Sequence, residues 1–392
     1  MVFASIKKIA VLAAVTVAAV NAATTPEAPF YNEAGILQVG TQEALNVTVA
    51  AGLSRDDVVS YPQASYVAVH FANFNLPEGD IVVVRSPDSS VAHFYTGKGR
   101  DDRENFIASF IPGDTAIVQY FSAAEAAQAG AAPKAPSYTI SGFSRGFPST
   151  HSESVCGVDN TRPAKCFASG TLFNSLPLAY EKAQSVARLL IGGQSLCTGW
   201  LAGSEGHLIT NQHCIETAAA AAAIDIEFAA ESASCSIECT QQLGCPGKVV
   251  ATSATFVTNS EPIDYALLKL PATADISAYK FLQLRASGPV LNERIYIPQH
   301  PAGKAKRISS TLDSGSNAIV ERVGASHSCG SNQVLYNADT EGGSSGSPIL
   351  AASDNKVVAL HHCGGCRNAA VDIRDVIRDL NTKRITVSNL LA

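Results

Sequence analysis

The segment Glu341-Gly342-Gly343-Ser344-Ser345-Gly346-Ser347-Pro348-Ile349 sets a serine among glycines just ahead of an apolar run. A serine hydroxyl is a poor nucleophile at neutral pH unless a histidine takes its proton and a buried carboxylate orients that histidine. The reaction also needs backbone N–H groups aimed at the oxygen that turns negative in the transition state. Flanking glycines allow the tight φ/ψ values that let Ser345 project while the N–H groups of Gly343 and Ser345 converge, which makes these two the candidate oxyanion donors. Composition alone would fit a glycine-serine turn without chemistry equally well. Two other segments tip the balance. In Gly206-His207-Leu208-Ile209-Thr210-Asn211-Gln212-His213-Cys214-Ile215 a strand ends at His213, and a Cys197–Cys214 bridge would fix that base to the preceding strand. In Ile263-Asp264-Tyr265-Ala266-Leu267-Leu268-Lys269-Leu270, alternation puts Asp264 on the face of Ala266, Leu268 and Leu270. A carboxylate there is costly unless paired, and His213 is the expected partner. Taken singly, His213 would be an ordinary loop histidine and Asp264 an ordinary strand-entry aspartate. Together the three residues read as a triad that forms an acyl-enzyme at Ser345.

Such residues need a scaffold of short strands. From Cys156 onward strands are predicted at 198–202, 206–211, 248–257, 265–270, 294–299, 318–323, 347–350 and 356–361. Short strands with turn residues between them favour barrels or sandwiches over a parallel α/β sheet, so the fold class is all-β. Val371, Ile373, Val376, Ile377 and Leu380 recur at helical spacing and predict a C-terminal helix; a shorter one is expected over 218–223. Upstream, 66–71, 80–84 and 114–120 alternate like strands, with Pro77-Glu78-Gly79-Asp80 and Pro112-Gly113-Asp114 as turns, which predicts an N-terminal β-sandwich-like unit. The stretch 123–136, rich in Ala, Gly and Pro, reads as a linker. The expected organisation is a signal peptide over 1–22, a β-rich domain or propeptide over 23–122, a linker over 123–150 and a catalytic domain over 151–392, with Arg145-Gly146 a candidate processing point.

Lys7 and Lys8 precede the apolar run 9–20, and Val20 and Ala22 supply a small-residue cleavage pattern, so export with cleavage after Ala22 is expected. No later stretch approaches the roughly 18 to 20 uncharged residues needed to span a bilayer, and no membrane partner is expected. The ten cysteines all lie between Cys156 and Cys366, an even number that suits disulfide pairing in a secreted, extracellular protein. Asn46-Val47-Thr48 is a glycosylation sequon. A formal charge of -6 with 28 Lys and Arg gives no basic field for phosphate backbones, which argues against nucleic acid as a partner.

Cys197-Thr198-Gly199-Trp200-Leu201, His213-Cys214, Asp264-Tyr265-Ala266-Leu267-Leu268 and Gly343-Ser344-Ser345-Gly346-Ser347-Pro348 resemble the marker segments of the chymotrypsin-fold (S1) serine peptidases. The similarity is strongest to lysyl and glutamyl endopeptidases, whose serine motif also ends in Ser-Gly-Ser-Pro. Together with its N-terminal β unit, the chain resembles secreted trypsin-like proteases of oomycetes. The resemblance implies two six-stranded β-barrels with the triad in the cleft between them, no cofactor and no metal. Protein or peptide substrates follow, with proteinaceous inhibitors as candidate partners. It also implies that Cys156 pairs with Cys363 or Cys366, and Cys166 with Cys235, Cys239 or Cys245. Where trypsin has an aspartate before its nucleophile, this chain has Ser344, which argues against activation by pairing with a new N-terminus.

Asp339 lies at the offset from Ser345 where trypsin places the carboxylate that receives Lys or Arg, so a basic P1 residue is expected. The glutamyl-type alternative has His361 or His362 receive an acidic P1 residue. His361-His362-Cys363-Gly364-Gly365-Cys366 offers zinc-ligand types at a familiar spacing, but disulfides are the reading preferred in an exported chain. The order His, Asp, Ser also differs from the Ser, Asp, His order of an α/β-hydrolase. A non-catalytic binding protein on the same scaffold is the alternative from another functional class; loss of a triad residue would be its mark.

Overall fold

Runs such as Tyr66-Val67-Ala68-Val69-His70-Phe71 and Val186-Ala187-Arg188-Leu189-Leu190-Ile191 are rich in the β-branched and bulky side chains that suit a pleated surface, and strands dominate the structure accordingly. A computed structural model describes residues 28, 30–32, 35–123, 136–148, 155–168, 173 and 175–392. The signal peptide expected over 1–22 lies outside the described residues. Two units divide the rest: one contains Gly40–Pro148, and the other combines Ala28–Val39 with Ser149–Ala392.

The Gly40–Pro148 unit has a four-stranded sheet, in the order Arg55–Ser60, Thr115–Phe121, Ile81–Arg85 and Ala92–Tyr95. Its five-stranded sheet runs Gly40–Ala50, Pro136–Gly146, Tyr66–Ala72 and Phe106–Ile107, with Ile111–Pro112 also paired to Tyr66–Ala72. Val67, Val69 and Phe71 from one sheet and Val82, Val84, Val118 and Tyr120 from the other share one buried cluster. Fully burying each such side chain contributes about 1.5–3 kcal/mol. The stretch expected as a linker differs from expectation at its end, where Pro136–Gly146 is a strand paired on both sides, to Gly40–Ala50 and Tyr66–Ala72. Its small residues obscured the signal, which resides in buried Tyr138, Ile140 and Phe143. Arg145, the candidate processing residue, is buried against the Tyr61 ring and paired with Glu43, and so is closed to a protease in this state. Asn46 is exposed on the Gly40–Ala50 strand.

The larger unit is built on two antiparallel sheets. The first orders its strands Lys248–Ala251, Ile224–Phe228, Val186–Ile191, Ser195–Ala202, His207–Thr210, Tyr265–Lys269 and Thr255–Ser260, with Leu37–Gln38 and Phe30–Tyr31 joined to it through Ser195–Ala202. The second runs Arg162–Pro163, Arg307–Ser309, Ile295–Gln299, Pro348–Ala351, Val357–Cys363, Asn368–Asp372, Gly330–Tyr336 and Val320–His327. The strand expected over 248–257 is two strands, broken where the Ala254 N–H donates to Ala221 instead of to a ladder partner. The C-terminal helix starts at Ile373, later than the apolar spacing suggests, because the Asp372 carboxylate caps it by accepting the Arg374 N–H. All ten cysteines are paired: Cys156–Cys366, Cys166–Cys235, Cys197–Cys214, Cys239–Cys245 and Cys329–Cys363. Among the described residues no helix is long and apolar enough to cross a membrane.

Arg188 shows how polar groups join this unit. Its guanidinium is fully buried, donates to Glu227 at 2.8 Å, and reaches the carbonyls of Gly244 and Gly303 at 3.0 Å each. Arg188→Leu leaves the Glu227 carboxylate buried without its cation, and a loss of about 3–5 kcal/mol is expected. Denaturant unfolding checks this, and adding Glu227→Leu should recover part of the loss.

Candidate active site

The strand His207–Thr210 delivers the chain to His213, and the Cys197–Cys214 disulfide ties the next residue back to the adjoining strand. His213 Nδ1 lies 2.7 Å from Asp264 Oδ2, and the His213 backbone N–H donates to Asp264 Oδ1 at 3.0 Å. With Nδ1–H donating, Nε2 is left as the acceptor nitrogen; it is buried and, among the described residues, makes no hydrogen bond to Ser345 Oγ or to any other group. Ser345 nevertheless shares with His213 and Asp264 one cavity of about 620 Å³, also lined by His361, His362 and Gln333. Base–nucleophile bonds are often long before substrate closes the site.

Asp264 departs from the alternating strand face expected of it. It sits one residue ahead of Tyr265–Lys269 with a left-handed φ of +58°, an unusual conformation for a residue with a Cβ. Its own N–H donates to Ser260 at 2.7 Å, and its carbonyl accepts Asn211 Nδ2 at 2.8 Å, so the backbone is fixed on both sides. A second histidine reaches the carboxylate: His362 Nδ1 lies 3.0 Å from Oδ2. Burial pushes the Asp264 carboxyl up, but the hydrogen bonds from His213 and His362 outweigh it and hold the group far below the usual carboxylate range. His362 Nε2 faces Gln333 Oε1 at 2.5 Å, while Gln333 Nε2 donates to the Ser331 carbonyl at 3.0 Å and so fixes the amide's orientation. Both nitrogens of His362 therefore meet acceptor oxygens. Sequence reasoning found His362 only as a substrate residue; its reach to Asp264 comes where the ladder of Val357–Cys363 shifts register between His361 and Cys363, which alternation does not foretell.

The serine loop is held from behind. Gly343 and Gly346 have φ near +89° and +88°. The Gly342 carbonyl accepts the Ala302 N–H at 2.6 Å, and the Ser344 carbonyl accepts from the Ser347 N–H and hydroxyl. In a trans peptide the N–H opposes its C=O, so the N–H groups of Gly343 and Ser345 point away from these anchors, and neither donates within the described residues. Thr198 adds its hydroxyl to the Gly343 carbonyl at 2.8 Å and its N–H to the Ser345 carbonyl at 2.8 Å. Ser344 donates to Gln299 Oε1 at 2.5 Å and accepts the Glu341 N–H, so internal neutral contacts hold this position. Glu341 forms a buried pair with Lys304 at 2.8 Å.

Asp339 is not brought to this cavity. It accepts the Asn160 N–H at 2.9 Å and lines a separate cavity with Asn160, Asn337 and Arg367, where burial pushes its carboxyl up. His361 lines the main cavity, yet its Nδ1 is spent on the Tyr336 hydroxyl at 2.6 Å, and burial, then the charges of His362 and His213, hold its pKa down at about 3. The thiols of the His-His-Cys segment are consumed in the Cys329–Cys363 and Cys156–Cys366 bridges.

The trypsin-like peptidase domain family matches residues 197–360. Secreted RxLR effector protein 73 of Plasmopara viticola is 41% identical over 336 residues, covering 83% of this chain and 81% of the relative. The chain belongs to that effector's family. Within this family the chain thus carries a peptidase domain of the trypsin fold. Among solved structures, the Rv3671c protein of M. tuberculosis H37Rv in an inactive form is 14% identical, covering 56% of this chain and 96% of that one at a TM-score of 0.39. Deg5 is 17% identical over 52% of this chain and 90% of its own, at a TM-score of 0.38.

The buried Thr198 hydroxyl donates to the Gly343 carbonyl and also accepts the His300 N–H at 3.2 Å. Thr198→Val removes both bonds without changing side-chain shape, and a loss of about 1–3 kcal/mol is expected on denaturant unfolding.

Proposed function

We propose that the chain is a secreted serine endopeptidase that cleaves peptide bonds through an acyl-enzyme on Ser345. The observation that carries this reading is His213, whose Nδ1 is committed to Asp264 while its Nε2, without a hydrogen-bond partner among the described residues, belongs to a ring that lines one cavity with Ser345. Attack of Ser345 Oγ on the carbonyl carbon sends its proton to His213 Nε2. The oxygen that turns negative is received by the N–H groups of Gly343 and Ser345, and collapse returns the proton from His213 to the departing amine. Water then repeats the sequence to release the acid. Asp264 holds the ring in its working tautomer and balances the imidazolium that forms.

The two sheets of the larger unit are read as two β-barrels and the Gly40–Pro148 unit as a sandwich. Export rests on the secreted relative, on five disulfides and on the leader-like residues 1–22, with carbohydrate on Asn46. Protein or peptide substrates follow, and proteinaceous inhibitors are the partners that such a cleft would take. Of the two P1 readings we retain the basic one, although Asp339 lies elsewhere. His361 is neutral and hydrogen-bonded internally, and His362 is engaged by Asp264 and Gln333, whereas exposed Glu261 presents a carboxylate on the cavity wall.

A fluorophosphonate should label Ser345 in the wild type and fail to label Ser345→Ala, as located by peptide mass mapping. Cleavage of a peptide library should then concentrate after Lys and Arg. Labelling elsewhere, or none, would favour the non-catalytic binding protein.

His362 is a positioning residue in this scheme, because its Nδ1 holds the Asp264 carboxylate that His213 must otherwise hold alone. His362→Ala should therefore lower kcat/KM roughly tenfold, and His362→Asn, which keeps a donor for Asp264, should recover part of the loss. A role in folding alone would lower the yield of enzyme that a fluorophosphonate labels and leave kcat/KM per labelled site unchanged.

A further inference from the structure

We propose that the chain's own strands Phe30–Tyr31 and Leu37–Gln38 occupy the leaving-group side of the peptide-binding cleft, and that a peptide extended on that side must displace them to bind. The inference rests on the reading of Ser345 as nucleophile. Its starting observation is that Tyr31 and Gly35 line the same cavity as His213 and Ser345. The Tyr31 hydroxyl lies over Gly342, so close that a methyl group at that glycine would overlap it. The segment therefore crosses the wall of the cleft three residues ahead of Ser345.

The way the segment is held resembles how an extended peptide would be held. Leu37 and Gln38 pair antiparallel with Leu196 and Ser195, Val39 donates to the Gln194 carbonyl at 2.8 Å, and Gln38 Nε2 donates to Ser195 Oγ at 2.5 Å. A strand edge accepts an extended backbone through main-chain hydrogen bonds largely regardless of sequence, so any peptide reaching this edge competes for the same groups. The side of the cleft follows from the chemistry. The proton that His213 takes from Ser345 goes to the departing amine, so that half of the substrate lies against His213. Cys214 follows His213 and is bridged to Cys197, and Ser195 and Leu196 immediately precede Cys197 on their strand. The edge they present continues the His213 side.

The occupant is held through both of its short strands: Phe30 and Tyr31 pair with Gln38 and Leu37, which pair in turn with Ser195 and Leu196. The pairing to the edge is two residues long, so a peptide that pairs with Ser195 and Leu196 replaces its main-chain bonds, while buried Val39 keeps the segment attached.

The test uses the full chain and two variants, Tyr31→Ala and Tyr31→Ala with Gln38→Ala. Two substrates taken from the library profile share one acyl side: one ends in a small chromogenic amide, the other continues about four residues beyond the scissile bond, long enough to pair with the Ser195–Leu196 edge. The fluorophosphonate labelling rate and turnover of the small amide should not change. Cleavage of the extended peptide should rise roughly tenfold in kcat/KM, an increase concentrated in KM. An unchanged ratio between the two substrates, in variants that still label at Ser345, overturns the proposal and leaves the protease reading intact. Absence of labelling in every form removes both.

Discussion

The carboxylate of Asp264 is the constraint on which the rest of the larger unit depends. A mostly buried carboxylate is tolerable only if donors replace the water it has lost, and three do: the His213 N–H, His213 Nδ1 and His362 Nδ1. They come from different places in the fold. His213 follows a strand of the first sheet, and His362 lies in Val357–Cys363 of the second. Satisfying one charge therefore fixes the relation of two sheets within this unit. The left-handed φ at Asp264 belongs to the same arrangement, since strain of this kind persists only where surrounding contacts over-determine it.

The serine loop obeys the complementary rule. Two of its N–H groups, those of Gly343 and Ser345, have no acceptor among the described residues, and the bonds of the carbonyls on the same peptides, Gly342 to Ala302 and Ser344 to Ser347, fix their direction. On the proposed reading, donors held in this way need little reorganisation when negative charge arrives. Ser344 bears on how the loop is set. Its hydroxyl reaches Gln299 inside the same unit, a neutral contact where trypsin uses an aspartate and a new N-terminus, so the loop takes its shape without a freed amine.

Much of this could be read from sequence because it is local. Alternating apolar residues marked 206–211 and 265–270 to within a residue or two of the strands His207–Thr210 and Tyr265–Lys269, and glycine spacing marked the serine loop. What escaped was non-local or conformational. Asp264 fits strand alternation on paper, and only its backbone angle shows that it lies outside the strand. Asp339 keeps the offset of a pocket carboxylate, but the segment 156–161, remote in sequence, comes back to occupy it through Asn160. His362 carries no motif, and its tie to Asp264 depends on register between two sheets. The cysteines were legible as a set, yet the choice of Cys366 over Cys363 for Cys156 required knowing that Cys329 claims the latter.

The order of units along the chain adds a last consequence. Ala28–Val39 belongs to the peptidase unit, and the Gly40–Pro148 unit interrupts that unit in sequence. The interruption begins and ends at one place, because Gly40 pairs directly with Gly146 across the Gly40–Ala50 and Pro136–Gly146 strands. Adjacent ends are what allow a folded unit to be inserted without disturbing its host. They also mean that the Leu37–Gln38 strand keeps its place on the Ser195–Leu196 edge through its own pairing and through buried Val39. A cut beyond Gly146 alone would leave that strand attached. The Leu37–Gln38 strand thus belongs to the fold of the peptidase unit, and on the proposed reading it is this pairing that an incoming peptide must replace while Val39 stays buried.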